Sequence, residues 1–516
     1  MPTPRSARRA PPKPAPPSKW KNVLVLGGSY GGARAARVLA EGLPDGWRVL
    51  LVEKQSHFNH LYVFPRYTVV QGHEHKAFIP YAELNPPASP SSQAKAKPAP
   101  KPAPKAYPEG DDYYPASDIH FPPPSHPPPT GPHRILHASV LALHPAHATL
   151  SRPFPEHGLP AKEVPYEYLV YALGSTMPPP LLMPPDALYK LGGVAWMIDQ
   201  GARIRRASRV VVVGGGALGI QYASDIKDHY PSTSVTLLHS RPRLLPRFDE
   251  RMHPLIRARL EALGVQLILG DRLVDEHVRE GKVHTLKGRV IDCDYLMLCT
   301  GQSPNTAILA DSFAASSLNP LTGHVTVLRT MQVCPYDLPS LNSGSGSPST
   351  PTPTPTPGHL DSARQGERPP LRLPPPRHTP YPHLFAIGDC ADAFGAIKAG
   401  HTAYYQAELA ARNILLLISH SHSHSHSTAN ALANALASGP RSGSEEKHPN
   451  LNMNLTLEQK LEEYSPGRPA IKLTVGVQEA VVLDGEGRVE LVECEEDLSA
   501  EGMWKAMGVG GRDMWE

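Results

Sequence analysis

Two glycine-rich turns are the stretches whose residue types and spacing bear most directly on chemistry. They are Gly27-Gly28-Ser29-Tyr30-Gly31-Gly32 and Gly214-Gly215-Gly216-Ala217-Leu218-Gly219. Each stands between an apolar strand-like run and a helix-like run, and a second apolar run follows. That is the βαβ pattern that holds the ADP half of a dinucleotide: the first glycine allows the tight turn, the second lets the backbone approach a pyrophosphate, and the third lets the helix pack on the strand. The helix N-terminus then faces the phosphates. In the first unit the second run ends in Glu53, where a carboxylate accepts both ribose hydroxyls, and Lys54 follows. Ser29 replaces the second glycine there; its hydroxyl can donate to phosphate, so the change reads as tolerated. Gly214, Gly216 and Gly219 satisfy the second motif in full. Its second run ends not in an acid but in His239, followed by Ser240, Arg241 and Arg243. Without a carboxylate a ribose 2′-phosphate meets no repulsion and an arginine can pair with it, which favours NADPH over NADH. The competing reading makes these arginines solvated loop charges.

Other strand ends add small or acidic residues. VPYEYLVYALGS closes in the turn Ala172 to Ser175, which includes Gly174, and IDCDYLMLCTGQSPNT closes in Thr300-Gly301. Only small residues let a backbone pass close over a dinucleotide. YPHLFAIGDCAD ends a further apolar run in Asp389, placed to bind a polyol hydroxyl. An amphipathic helix beginning near Lys398 points its positive end at whatever lies beyond. His57 and His60, in the segment after Glu53, read as packing or surface histidines rather than site residues.

Two strand–helix–strand units require an α/β fold with parallel sheets. A chain of 516 residues has room for two or three domains, while its 60 prolines say that not all of it folds. The basic, proline-rich residues 1–20 and the stretches 86–132 and 344–378 cannot bury enough apolar surface and are expected to be disordered. The expected organisation is 21–190 and 311–418 for the first nucleotide domain, 191–310 for a second inserted in it, 419–450 for a low-complexity linker and 451–516 for a small α+β C-terminal domain. HRILHASVLALHPAHATLSR alternates like paired strands. The tail reads as two strands, and Met503, Trp504 and Met507 are offered to a surface or packed in a core. The repeat Ser419 to Ser427 reads as spacer, and no metal site is expected.

Bulk properties exclude several classes. A net charge of +3 demands neither nucleic acid nor membrane. Cys293 and Cys299 are six residues apart on one strand, about 20 Å when extended, so they read as core cysteines rather than a disulfide. No window of about 18 apolar residues predicts a spanning helix. The N-terminus is basic but too proline-rich for an amphipathic presequence. The expected location is cytoplasmic, with peripheral membrane contact as an option and a mitochondrial address as the minority one.

VLVLGGSYGG, YLVYALGS, VVVVGGGALG, LMLCTGQSPN and LFAIGDCAD, in that order, resemble the two-dinucleotide pyridine-nucleotide flavoprotein oxidoreductases. The His239-Ser240 pair, the KAGHTAYYQAELAARNI helix and YSPG with a two-strand tail and a late MWKAMG resemble one branch in particular. It is the apoptosis-inducing-factor-like branch, the ferroptosis-suppressor-type NAD(P)H:quinone oxidoreductases, relatives of type II NADH dehydrogenases. The resemblance covers about Lys21 to Gly508 outside the low-complexity stretches. It implies two Rossmann-like domains, one for FAD interrupted by one for NAD(P)H. FAD would be held by Gly27, Ser29, Gly32, Glu53 and Asp389, with Gly28, Gly31, Lys54, Ala172 and Gly174 around it. NAD(P)H would be held by Gly214, Gly216 and Gly219, with His239, Arg241 and Gly301. Gln221 stands where such second motifs often carry Glu, a departure that touches nicotinamide positioning.

Disulfide reductases of this superfamily need a cysteine pair beside the flavin. No cysteine precedes Cys293 and no C-x-x-C occurs, so a thiol relay is excluded. The expected mechanism is hydride transfer from nicotinamide C4 to flavin N5, then two-electron reduction of a quinone or similar planar acceptor. Lys398 and the helix after it are candidates to stabilise anionic reduced flavin, and His401 and Tyr404 to relay protons. The alternatives are a reductase of a small redox protein, a flavin monooxygenase, or a flavoprotein regulator whose basic arms bind nucleic acid or partners. The six Lys and Arg residues before Asn22 lack the aromatic interleaving of single-strand binders, and no specific nucleic acid is expected. Membrane contact, if made, would run through the C-terminal region.

Overall fold

The computed structural model describes residues 20–85, 131–179, 181–336, 379–437 and 461–515, with side chains in the fourth segment described as far as 421. The expected disordered stretches 1–20, 86–132 and 344–378 lie outside the described residues apart from their edges. Apolar runs that carry no alternation become strands covered on both faces. Lys21–Leu26 forms β1, buried throughout except at Lys21. The alanine-rich segment Tyr30–Gly42 forms α1, and Trp47–Glu53 forms β2, buried up to Glu53. A short helix α2, Phe64–Val69, follows. Arg134–His137 forms β3 and Tyr168–Tyr171 forms β4.

Before that sheet is finished, the chain builds another. Helix α3, Lys190–Arg206, leads into β5, Arg209–Val213, then α4, Ala217–His229, and β6, Ser234–His239. Helix α5, Met252–Leu263, leads to β7, Gln266–Leu269, and β8, Tyr295–Leu298, closes the set. These strands are parallel, in the order β7-β6-β5-β8. The chain then returns with β9, Leu384–Ala386, which completes a parallel sheet in the order β9-β4-β1-β2-β3. The second nucleotide unit is therefore an insertion in the first. Ser175–Thr176 and Ser303–Pro304, on the outgoing and returning connections, pair antiparallel.

Three elements differ from the sequence reading. Arg134–His137 does not pair with its neighbour in sequence but runs parallel to β2 at the sheet edge; the hairpin-like alternation belongs only to Val140–Leu143 and His147–Leu150. Helix α6, Gly400–Ala437, continues through the Ser/His repeat expected to be spacer. The buried turns to Ile418 nucleate it, and serine, histidine and alanine then extend it at small cost per residue, with neither glycine nor proline to stop it.

The third difference is the C-terminal region. It has three strands, not two, because the expected long strand folds back near Gly476: β10, Ile471–Thr474, β11, Glu479–Leu483, and β12, Val489–Glu493. Leu473, Val475, Val481 and Leu483 share a core with Ile226 of α4 and Ile256 and Leu260 of α5. The last helix α7, Ala500–Ala506, packs on the first nucleotide unit instead. Trp504 is 1% exposed against Phe58 and Ile79, and its indole N–H donates to Lys76 O at 3.0 Å. Met503 and Met507 pack on the same cluster. Of the two readings of these three residues, surface-facing or packed, the structure shows the packed one: a buried indole is favoured where its N–H finds an acceptor.

Candidate functional site

Both glycine turns sit where a parallel strand ends, at the carboxyl edge of their sheets, and both are built so that a side chain would not fit. Gly27 has φ +96°, and a Cβ there would lie 2.4 Å from Ala172 O; one on Gly32 would lie 1.7 Å from Gly27 O. In the second unit Gly214 has φ +122°, its Cβ would lie 2.2 Å from Cys299 O, and one on Gly219 would lie 1.9 Å from Gly214 O. Thus in each unit the carbonyl at a neighbouring strand's end presses on the first glycine, which is what the small-residue closures at Ala172 and Thr300 make possible. Gly216 and Gly301 face open space.

Each turn is also tied to the strand that follows its helix. Gly28 N–H donates to Glu53 Oε2 at 2.6 Å, and Gln55 N–H donates to Oε1 at 2.9 Å. The Tyr81 phenol donates to Gly28 O at 3.0 Å, so this ring lies over the turn and beside Glu53. Ser29 is exposed at the N-cap of α1, where its hydroxyl makes no side-chain cap bond. Lys54 is exposed beside Glu53, and Gly31 packs on Ala403 of α6. In the second unit Gly215 N–H donates to His239 Nδ1 at 3.0 Å. A cavity of about 670 Å³ opens there, lined by Gly214, Gly216, His239, Arg241 and Gly301 among others. The structure therefore brings those five candidate residues to one cavity, with Gly219 beneath it. Gln221 points elsewhere: its amide donates to Thr474 of β10, so its effect is on the C-terminal sheet.

Asp389 follows β9 in a turn set by Gly388, φ +77°. The Ser175 hydroxyl, next to Gly174 (φ +64°), lies between the Asp389 carboxylate at 2.9 Å and the Gln302 amide at 2.6 Å. Lys398 precedes α6 rather than opening it, and its ammonium donates to Ala391 O. Burial pushes the Lys398 pKa down, and Cys390, Asp389 and Asp392 oppose that shift. The first N–H of α6, on Gly400, donates to the Tyr62 phenol at 2.6 Å. Tyr62 adjoins Tyr30, which is hydrogen-bonded to His60 Nδ1 at 2.8 Å. His401 is exposed in the first turn of the helix. Tyr404 is one turn further, under the Arg34 guanidinium in the seam between α1 and α6. Tyr81, Ser175, Gln302 and Tyr62 had no signal in the sequence beyond the small-residue turn that contains Ser175.

Residues 21–334 match the model of the pyridine nucleotide-disulphide oxidoreductase family. The chain belongs to that family. It is 34% identical over 513 residues to Fe-regulated protein 8 of Mycosarcoma maydis, covering 97% of this chain and 98% of that one. It is 31% identical over 161 residues to ferroptosis suppressor protein 1 of Homo sapiens, covering 29% of this chain and 42% of that one. Over 410 residues it is 22% identical to apoptosis-inducing factor homolog B of Dictyostelium discoideum, covering 77% and 81%. Family members of this kind depend on FAD and use NAD(P)H, and the residues present fit both. The first turn has the bare helix N-terminus and backbone approach that a pyrophosphate needs, and Glu53 keeps lone pairs for ribose hydroxyls beyond its two N–H partners. Among the described residues no helix is long and apolar enough to cross a membrane. None of the five cysteines is in a disulfide, and four are buried. Burial pushes the Cys293 and Cys390 thiols up to about 11.

Proposed function

We propose that this chain is an FAD-dependent oxidoreductase that takes hydride from NADPH, or less readily NADH, and passes electrons directly to a quinone-type acceptor without a redox disulfide. The observation that carries the reading is the pair of tied glycine turns together with five cysteines that form no disulfide, four of them with thiol pKa values raised by burial. At neutral pH such thiols hold almost no thiolate, and thiolate is the species a relay requires.

Bound at the first turn, FAD would supply two-electron chemistry, accepting hydride on one side and reducing an acceptor. The chain's own part is placement. Gly27, Gly28, Ser29 and Gly32 with the α1 N-terminus would hold the pyrophosphate, Glu53 the ribose, and Asp389, braced by Ser175, a polyol hydroxyl. Gly214, Gly216 and Gly219 would hold the second dinucleotide so that its reactive ring meets the first cofactor, since hydride transfer depends on alignment more than on an acid or base. Lys398 puts a positive charge beside Asp389, and exposed His401 would exchange protons with solvent. The name ferroptosis suppressor protein belongs to relatives that match between 29% and 56% of this chain, the longer match at only 25% identity, so the acceptor rests on the missing thiol route.

The test is anaerobic stopped-flow mixing of the purified yellow protein with NADPH or NADH, followed by a short-chain quinone. Bleaching of the flavin band and recovery on quinone addition are expected. A flavin that neither nucleotide bleaches would sink the reading and bring the regulator alternative forward.

A further inference from the structure

At the edge of the first sheet opposite its glycine turn, the strands begin in polar and charged residues. Asn22 and Arg48 are the second residues of β1 and β2, and Arg134 is the first of β3. Arg134 is in register with Leu50, so Arg48, two residues earlier on β2, shares its face of the sheet. The strand carries Arg48 about 16 Å from Glu53 at its other end. Arg48 is 3% exposed. Its Nε donates to Asn22 Oδ1 at 2.7 Å and its Nη1 to His157 O at 2.8 Å, and both acceptors are neutral. Its Nη2 is buried with no hydrogen-bond partner among the described residues.

The neighbours of this guanidinium add charge rather than cancel it. Arg134 is half-buried; its Nη1 donates to the carbonyls of Gly131 and His133, and its Nε and Nη2 make no hydrogen bond among the described residues. Asn85 fixes the approach to β3, its side-chain oxygen accepting the His133 N–H at 3.1 Å. Burial and then the Arg134 charge push the Arg48 pKa down to about 10, so at neutral pH it is still a cation. Burial and the Arg134 charge also hold the His133 and His157 imidazoles below their usual value, and so neutral. Glu83 bears on Arg134 and Glu156 on His157, but both are exposed, and neither is ion-paired to either guanidinium among the described residues. A buried donor without an acceptor is costly, the more so on a charged group, and calls for a water or an ion. Water would fill the hydrogen bond but leave two adjacent guanidinium charges unbalanced; an anion answers both.

We infer that the amino edge of the first sheet carries an anion site, separate from both glycine turns and built from Arg48, Arg134 and His157, for a phosphate-class dianion. Arg48 is its floor, and the half-exposed Arg134 and His157 are its solvent side. Two guanidinium groups match a dianion in charge. Donating from two strands, they suit the several oxygens of a tetrahedral phosphate better than the single plane of a carboxylate. The neutral His157 ring can donate from one nitrogen as well. The phosphate is that of a soluble ion or ester or of a lipid headgroup, one chemistry from two sources. The site stands whatever the flavin reduces.

The experiment titrates the full-length flavoprotein calorimetrically with inorganic phosphate at pH 7.5 and constant ionic strength, with chloride as the reference anion. Wild type is expected to bind phosphate saturably, and its thermal midpoint to rise with phosphate concentration. Arg134→Gln is expected to weaken that binding by about tenfold or more, the scale of a charge-assisted hydrogen bond, at unchanged flavin content. Arg134→Lys is expected to weaken it by about threefold, since it keeps the charge without the fork, and it decides the matter if Arg134→Gln does not fold. Arg203→Gln, in an exposed ion pair of α3, is expected to change nothing. No saturable binding, or binding that chloride reproduces, would overturn the inference. So would binding left unchanged by the Arg134 variants, because the phosphate would then be held at a glycine turn. Vesicles of phosphatidylcholine with and without phosphatidic acid tell the two sources apart. Sedimentation with the acidic vesicles alone, lost in Arg134→Gln, supports the site with a lipid phosphate; phosphate binding without sedimentation supports it with a soluble one.

Discussion

Gly219 has no room for one more carbon. Its Cβ would meet the Gly214 carbonyl at 1.9 Å, and a backbone atom at the carboxyl edge of a buried strand cannot give way as a flexible side chain can. Gly219→Ala is therefore expected to retain flavin at the untouched first turn and to lose nucleotide binding by tenfold or more, roughly the scale of 1.4 kcal/mol or greater. Flavin absorbance and the rate of bleaching by NADPH check the two halves separately. Single residues also set a pH response. Burial lowers the His60 pKa to about 4, and burial together with the Lys190 and Lys76 charges does the same at His75. Unfolded imidazole titrates near 6.5, so between about pH 6.5 and 4 the unfolded chain binds more protons than the folded one. Stability is thus lost as pH falls through that window, by something on the order of 3 kcal/mol for each ring below it. Urea unfolding at pH 7.5 and 5.0 should show the decline, and His60→Gln should make it shallower. An unchanged slope in that variant would count against the assignment.

At the scale of elements, α2 is where three regions meet. Arg66 is 1% exposed, and all five of its N–H groups are used. Two go to Asp225 of α4, at 3.0 and 3.2 Å, and three to the carbonyls of Gly476, Val477 and Glu496 in the C-terminal region. A charge taken out of water survives only when paired and fully hydrogen-bonded, and this one is. Asp225→Ala would leave it without its counter-ion, and a loss of about 3–5 kcal/mol in unfolding free energy is expected. Denaturant titration checks it; a loss below about 1 kcal/mol, the range of an exposed pair, would mean that water reaches Arg66.

For the whole molecule, the consequence of the fold is that both nucleotide units open at strand ends while four of the five thiols lie inside. Cys293, Cys299, Cys334 and Cys390 are buried in the cores. Treatment of the native protein with N-ethylmaleimide is accordingly expected to leave the proposed NAD(P)H-driven quinone reduction within about twofold of the untreated rate, since reaction needs an accessible thiolate. Loss of quinone reduction with flavin bleaching intact would reinstate a thiol route. The C-terminal region belongs to this scale as well, because its sheet completes the core of the second unit and its last helix completes that of the first.

The two turns, the strands that flank them and the order of the units were legible because each is a local requirement. A backbone at φ near +100° that runs under a carbonyl admits only glycine, and a strand covered on both faces must be apolar along its whole length. Glu53, His239 and Asp389 stand out in the sequence for the same reason: each is the residue at which an apolar run stops. What these residues touch was decided by tertiary structure. Tyr81 reaches Gly28 from 53 positions away, Ser175 reaches Asp389 from 214, and Arg66 reaches Gly476 from 410. Alternation could not tell whether Arg134–His137 pairs with its neighbour or with β2, because edge strands of either kind look alike in sequence. Nor could a helical turn with Met503, Trp504 and Met507 declare whether it faces solvent or the first unit; that depends on where the chain returns, and there the backbone of Lys76 offers the indole its acceptor.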